Sequence, residues 1–382
     1  MKILFLDQSG QIGGAELCLV DIAKPLRDNC LVCLFADGPF RKLLEQQQIP
    51  VRVLANQSIR VRKHSNLMQG ISSIGVFTPI VAKVAEIARE YDLIYANTQK
   101  ALVVGAIASI AARRPLVYHL HDILSAEHFS QANRRLAVTL ANRFASLVIA
   151  NSKATQTAFV EAGGRFDLTE VVYNGFDPAI YHIQTHHSLR TKQNIGLEGQ
   201  FVVGHFSRLS PWKGQHILLE ALTRCPDKVT AIFVGDALFG EKHYVEQLHQ
   251  KVMELGLSKR VQFFGFRSEV APLMAVCDLI AHTSIAPEPF GRVIVEAMLC
   301  GRPVVASAAG GAIELIETGK TGWLVEPGNI EELADAIAIC YQNPMLAQII
   351  AQQSQKQARE RFYLAAMEQK IARLLNVVID FH

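Results

Sequence analysis

The stretch APEPFGRVIVEAMLCGRPVV, from Ala286, holds two carboxylates eight positions apart. Glu288 stands between Pro287 and Pro289, and Glu296 lies in an apolar run with Val293, Ile294, Val295, Ala297, Met298 and Leu299. A charged side chain is rarely buried without a partner. If a helix starts near Gly291, its first amides, about Gly291 to Val293, are free to meet a ligand. Glu296 on the second turn then reaches back toward that end. A carboxylate so placed suits a ribose diol, and one in a stiff loop such as Glu288 can accept hydrogen bonds from sugar hydroxyls. The plain alternative for Glu296 is an ion pair with a nearby Arg or Lys.

Four other stretches carry chemistry. In GHFSRLSPWKGQHILLEAL a strand ends at Phe206, and Arg208 and Lys213 flank the turn into a helix. Two cations there oppose the helix dipole. An anion between them resolves the conflict, and Arg and Lys together suit phosphate; two solvated loop cations are the alternative. In SGQIGGAELCLVDIA, Gly13 and Gly14 lead from the first strand into a helix whose amides can meet an anion. The pattern is neither GxGxxG nor a P-loop, and a simple tight turn explains it equally. In YHLHD, His119 and His121 share one strand face and Asp122 follows. No third metal ligand is evident, so His121 reads as a polar cleft residue, against the alternative of a core histidine with a capping aspartate. In VQFFGFRSEV the strand ends at Gly265, Phe266 and Arg267, where backbone can read a base edge with Phe266 beside it, the alternative being a plain strand-end turn.

The elements that must position these residues alternate. Short apolar runs such as KILFLD, CLVCLFA, DLIYAN, PLVYHLHD, FVVGHFS, TAIFVGD, DLIAHTS and RPVVAS are separated by helical-length segments. That alternation predicts parallel sheets with helices on both faces, an α/β chain of two doubly wound domains. The rhythm breaks at YHIQTHHSLRTKQNIGLEGQ, from Tyr181, which reads as the linker. Its His182, His186 and His187 are a candidate metal cluster or, without further ligands, solvated histidines. The expected domains are 1–185, joined by a C-terminal helix 362–382, and 186–361. Ligands of open α/β sheets bind beyond the carboxyl ends of strands, where the residues above lie, so a cleft between two facing domains is expected.

Composition removes several classes. A chain of 382 residues, half of them hydrophobic, can build large cores, and a net charge of +3 does not call for nucleic acid. The first half is the basic one, with 19 Lys and Arg against 15 Asp and Glu in residues 1–180. Seven cysteines show no disulfide framework, and the CxxC of Cys30 and Cys33 stands alone in an apolar run, which reads as core packing. Reduced cysteines suit the cytoplasm. MKILFLD reads as a buried strand, not a leader, and the run Ala101 to Ala112 is shorter than a membrane span. The basic segment FSQANRRLAVTLANRFAS, with Arg134, Arg135 and Arg143, reads as a solvated outer face or as a surface helix on anionic lipid.

Together these stretches resemble glycosyltransferase family 4, retaining enzymes of the two-domain GT-B fold. Most specific is the E-x7-E motif of Glu288 and Glu296 in PEPFGRVIVEAMLCGRPVVASAAGGAIELI; SRLSPWKG, GGAE, HD at His121 and Asp122, VVYNGFD and GKTGWLVEPGN support it in order. The resemblance implies that Arg208 and Lys213 bind the diphosphate of a nucleotide-sugar and that Glu296 holds its ribose. Glu288 would bind the donor sugar, and the amides of Phe290, Gly291 and Val293 sugar or phosphate. It places Gly13 and Gly14 near the β-phosphate, His121 on the sugar and Phe266 beside the base. The pattern departs at His282-Thr283-Ser284, where the family commonly has Pro-Ser.

The expected activity is retaining transfer of a sugar from a nucleotide diphosphate-sugar to a saccharide or lipid-linked acceptor in polysaccharide or glycolipid synthesis. Family frequency favours a UDP-sugar, UDP-glucose among the candidates, and the residues do not single out glucose, galactose, mannose or N-acetylglucosamine. The chain has no D-x-D pair, so neither metal nor cofactor is expected; cations and helix N-termini would stabilise the leaving diphosphate. The alternatives are a UDP-sugar 2-epimerase-like isomerase of the same fold and a nucleotide-sugar binding protein without catalysis. The expected location is cytoplasmic, at most peripheral at the inner membrane face.

Overall fold

A computed structural model describes residues 1–54, 67–183, 185–237 and 241–382, without the side chains of 67–77 and 185–187. The chain forms two compact units, Met1–Gly175 with Leu364–His382, and Phe176–Tyr363. Each is built on a parallel sheet.

The first unit has strands β1 (Ile3–Asp7), β2 (Cys30–Leu34), β3 (Val51–Val53), β4 (Leu93–Ala96), β5 (Leu116–Leu120), β6 (Ala145–Ala150) and β7 (Thr169–Val171), in the order β3-β2-β1-β4-β5-β6-β7. The second has β8 (Phe201–Phe206), β9 (Val229–Val234), β10 (Val261–Gly265), β11 (Leu279–His282), β12 (Val304–Ser307) and β13 (Trp323–Val325), in the order β10-β9-β8-β11-β12-β13. Both are doubly wound, as the alternation of runs predicts.

Helices on both faces explain why the strands read as unbroken apolar runs. In β1, Ile3 and Phe5 pack into one core cluster while Leu4 and Leu6 pack into the opposite one. The CxxC pair divides the same way, with Cys30 on one face and Cys33 on the other. Burial pushes both thiols up to about 12. All seven cysteines are buried and free of disulfides.

Strand order reverses between β1 and β4, and again between β8 and β11. In open α/β sheets such a reversal leaves a crevice beyond the carboxyl ends of the two strands. Most of the candidate residues follow those strands.

The last helix, Leu364–Asp380, belongs to the first unit. Its buried Met367, Ile371, Leu375 and Val378 recur at helical spacing and join the cluster of Ile3, Phe5 and Tyr95. The chain changes unit after Gly175 and again after Tyr363, where the sequence suggested 185 and 361.

The polar stretch read as a linker is instead part of the second unit. Residues Thr185–Asn194 form a helix in which Lys192 Nζ donates to Asp278 Oδ2 at 2.7 Å, an atom that also accepts from the Val202 amide at 2.7 Å. An ion pair docks this helix, so hydropathy gave no sign of it. Of the candidate histidine cluster, His182 is exposed, and the side chains of His186 and His187 lie outside the described residues. Among the described residues no helix is long and apolar enough to cross a membrane.

Candidate active site

In the second unit two loops meet beside the β8/β11 reversal. One follows β8 and carries Arg208 and Lys213; the other follows β11 and carries Thr283, Ser284 and Glu288. Gly214 caps the helix Gln215–Leu222 with φ +69°, and a Cβ there would lie 1.9 Å from the Thr283 carbonyl oxygen. Only glycine allows that approach. Thr283 Oγ1 lies 2.8 Å from the Gly214 carbonyl oxygen and 3.0 Å from His205 Nε2, which ties the loops together.

Lys213 Nζ donates to both carboxylate oxygens of Glu288, at 2.8 and 2.6 Å. Ser284 Oγ adds a hydrogen bond at 3.0 Å, and His282 Nε2 lies 3.3 Å away. Burial alone would push the Glu288 carboxyl up, but the Lys213 ammonium and then the His282 contact hold it well below the usual carboxylate range. The Glu288 backbone is anchored by the Gly311 amide, 2.7 Å from its carbonyl oxygen. Lys213 and Glu288, expected to hold diphosphate and sugar separately, therefore hold each other in this structure.

Arg208 has its own carboxylate. Its Nε lies 3.5 Å from Glu241 Oε2, and Ser210 Oγ donates to Glu241 Oε1 at 2.7 Å. The two cations that seemed to need a shared anion are answered by two glutamates distant in sequence.

Glu296 is buried on the helix Arg292–Leu299 and sits 3.6 Å from Arg292 Nε, one turn back. Burial raises its pKa, opposed by Arg292 and a hydrogen bond from Tyr181. The neighbouring arginine is thus one answer to the carboxylate in the apolar run. The Phe290 side chain is core, 2% exposed, stacked on Phe176 and edge-on to Phe362, so only its backbone can face a ligand. Gly291 caps the helix at φ +96°, with half-buried Val293 in the first turn. Phe266, just after β10, is exposed.

In the first unit the β1/β4 reversal holds a buried polar chain. Asn97 Nδ2 donates to Asp7 Oδ2 at 2.7 Å, and Asn97 Oδ1 lies 2.9 Å from His121 Nε2. His119 behind it lies 2.7 Å, through Nδ1, from the Tyr95 hydroxyl. Gly13 and Gly14 begin the helix Gly14–Ala23 as expected, but its start is already answered. The Glu16 carboxylate folds back onto the Glu16 and Gly13 amides, and a Cβ on Gly13 would lie 2.8 Å from its Oε2. An anion arriving there meets a side chain that sequence reading left unassigned. Burial and then the charge of Asp7 push Glu16 up to about 8; burial, against the Asn97 hydrogen bond, pushes Asp7 up to about 6.

Sequence reading also missed Tyr181, Asn97 and the Gly310-Gly311 pair, each defined by a partner distant in sequence, and met Ser284, four positions from its partner Glu288, only within His282-Thr283-Ser284. His282 drew notice only as a departure from a pattern.

Residues 12–180 match the profile described as Glycosyltransferase Family 4, and residues 189–359 match Glycosyl transferases group 1. The chain belongs to the glycosyltransferases. With its two Rossmann-like units this glycosyltransferase has the GT-B fold. It is similar to the Anabaena protein Alr3699/HepE, whose crystal structure in complex with UDP-glucose shares 61% identity and a TM-score of 0.93, covering 99% of this chain and 100% of that one. Spore coat protein SA of Bacillus subtilis (strain 168) is 29% identical over 63% of this chain and 67% of its own length. The GDP-mannose-dependent alpha-(1-6)-phosphatidylinositol monomannoside mannosyltransferase of Mycolicibacterium smegmatis is 28% identical over 71% of this chain and 75% of its own length.

Proposed function

We propose that this glycosyltransferase moves glucose from UDP-glucose to a saccharide or lipid-linked acceptor, retaining the anomeric configuration, in polysaccharide or glycolipid synthesis. The observation that carries the donor is the 61% identity, over 99% of the chain, with a protein crystallised with UDP-glucose. The relative that uses GDP-mannose is 28% identical and weighs less.

In the reaction the bond from the sugar C1 to the β-phosphate oxygen breaks, and its electron pair leaves with UDP. The acceptor oxygen bonds to C1 on the same face, and its proton passes to the departing phosphate oxygen. Arg208 and Lys213 stabilise the charge that develops there. No metal is assigned to the step. Glu288 is a poor candidate for a covalent intermediate: a carboxylate bound by Lys213 and Ser284, with its pKa held low, is a weak nucleophile. That favours departure and attack on one face, with Glu288 binding sugar hydroxyls.

Glu296 is assigned to the ribose, the amides of Phe290, Gly291 and Val293 to sugar or phosphate, and Phe266 to the base. His121, Gly13 and Gly14 are assigned to sugar and phosphate on the family resemblance. His121→Ala should lower kcat at least tenfold, and Gly14→Val should raise the donor KM. The enzyme is assigned to the cytoplasm, with the helix Gln131–Phe144 as its contact with anionic lipid.

Calorimetry with UDP-glucose and GDP-mannose, each with and without EDTA, tests the donor. Binding of UDP-glucose alone, unchanged by EDTA, is expected; preference for GDP-mannose, or binding restored only by magnesium, overturns the reading. NMR of the first glucoside formed on a simple alcohol tests retention. The donor is α-linked, so a β-glucoside ends the retaining assignment.

A further inference from the structure

A cluster in the first unit has a composition that sugar transfer does not explain. Cys18 Sγ and one ring nitrogen each of His119 and His121 all lie within 4.8 Å of one another. Among the described residues no other group of three or more His, Cys, Asp or Glu side chains is so placed. Cys18 comes from the inward face of the helix Gly14–Ala23; the histidines come from the end of β5 and the residue just beyond it.

The two imidazoles lie close, with ring centroids 3.9 Å apart, and their hydrogen bonds bear on which nitrogens carry lone pairs. His119 is 1% exposed, and its Nε2 is buried with no hydrogen-bond partner. A buried polar atom without a partner calls for an explanation. The Tyr95 hydroxyl oxygen, 2.7 Å from His119 Nδ1, can accept a hydrogen bond from Nδ1–H, the tautomer that leaves the lone pair on Nε2. His121 is set by a longer chain: Asn97 Nδ2 donates to Asp7, so Asn97 Oδ1 is the acceptor facing His121 Nε2. In the neutral ring Nε2 then carries the proton and Nδ1 the lone pair. Such outer hydrogen bonds are what orient metal-binding histidines.

We propose that Cys18, His119 and His121 bind one zinc ion, or a similar thiophilic divalent cation, and that the bound ion inhibits transfer. One thiolate and two imidazoles suit a soft tetrahedral ion, with water as the fourth ligand. Bonds of about 2.0–2.3 Å put ligand atoms roughly 3.5 Å apart, so the three need draw in by about an ångström. On binding, the Cys18 thiol proton is released to solvent and the sulfur donates its electron pair to the ion. His121, the most accessible of the three, is the way in. The inhibition rests on the proposed role of His121 in transfer; the binding does not.

Cobalt(II) added to the metal-free full chain tests the site without an activity assay. One equivalent should give the visible bands of a tetrahedral ion and a thiolate-to-cobalt charge-transfer band in the near ultraviolet. Cys18→Ala should abolish the charge-transfer band and weaken binding at least about 100-fold, as loss of one ligand predicts. Unchanged far-ultraviolet dichroism and UDP binding check that the variant is folded. No tetrahedral spectrum in the wild type, or a charge-transfer band that survives in Cys18→Ala, overturns the site. Equimolar zinc should slow glucosyl transfer at least tenfold in the wild type and not in Cys18→Ala; equal inhibition of both overturns the inhibitory role and leaves the donor assignment untouched.

Discussion

Lys213 and Glu288, 75 positions apart, are joined by two hydrogen bonds of 2.8 and 2.6 Å, and each side chain is only 14% exposed. A donor diphosphate at Lys213 must therefore compete with a carboxylate already in place. Removing one partner of a buried pair leaves an uncompensated charge, at a cost of about 3–5 kcal/mol. Lys213→Met or Glu288→Met alone should each destabilise the second unit by about that much. The double variant should recover at least half of the loss in urea unfolding. Additive losses would mean that the pair is not coupled.

For Glu296, Glu296→Ala should raise the dissociation constant of UDP by about 10- to 100-fold, or about 1.4–2.8 kcal/mol. Tyr181→Phe, which removes only a hydrogen bond to Glu296, should change it by less than about tenfold, as loss of one such bond predicts. Calorimetry distinguishes a ribose contact from a purely internal pair, in which case neither variant changes UDP affinity.

The raised carboxyls of Asp7 and Glu16 set a pH dependence. Between about pH 4, the usual carboxylate value, and about 8, the folded chain keeps protons that the unfolded chain has released. Stability from these groups is fully present below that window and is lost as pH rises through it. The urea midpoint of the first unit should be lower at pH 9 than at pH 6, and Glu16→Gln should flatten the difference. A midpoint that rises with pH in the wild type contradicts the assignment.

Gly310 has φ +61°, and a Cβ there would lie 2.2 Å from the Glu288 carbonyl oxygen. Gly319 has φ +77° with nothing within 4 Å of that position. Both Gly→Ala variants incur the left-handed penalty of about 1–2 kcal/mol. Gly310→Ala should in addition displace the Glu288 loop and lower kcat more than tenfold, while Gly319→Ala keeps full activity. Equal kinetics in the two would show that the loop position is unimportant.

On the helix Gln131–Phe144, Leu136 is 50% exposed beside Arg135, with Arg134 and Arg143 on the same segment. Each cation near an anionic surface contributes about 1 kcal/mol. The protein should float with phosphatidylserine vesicles at low salt, stay behind at high salt, and float less as Arg135→Glu/Arg143→Glu. No flotation at low salt removes the lipid contact.

What the sequence revealed and hid follows one division. Both sheets were legible because strands buried on two faces leave unbroken apolar runs, as in β1 and β2. For the residues around Glu288 and Glu296 the sequence offered roles only through the resemblance, which assigns them one by one. Partnerships were not: Lys213 with Glu288, Arg208 with Glu241 and Cys18 with His119 depend on which strands become neighbours, and no local spacing records that. The helix Thr185–Asn194 was hidden for a related reason, since its Lys192 pairs with Asp278, far along the chain.

The placement of the helix Leu364–Asp380 bears on how the molecule is made. The first unit lacks Met367, Ile371, Leu375 and Val378 until the ribosome has also produced residues 176–363. At about 5–20 residues per second that wait is on the order of 10–40 s. Through that interval the nascent first unit presents an uncovered apolar face around Ile3 and Phe5, and it is then that a chaperone has something to hold.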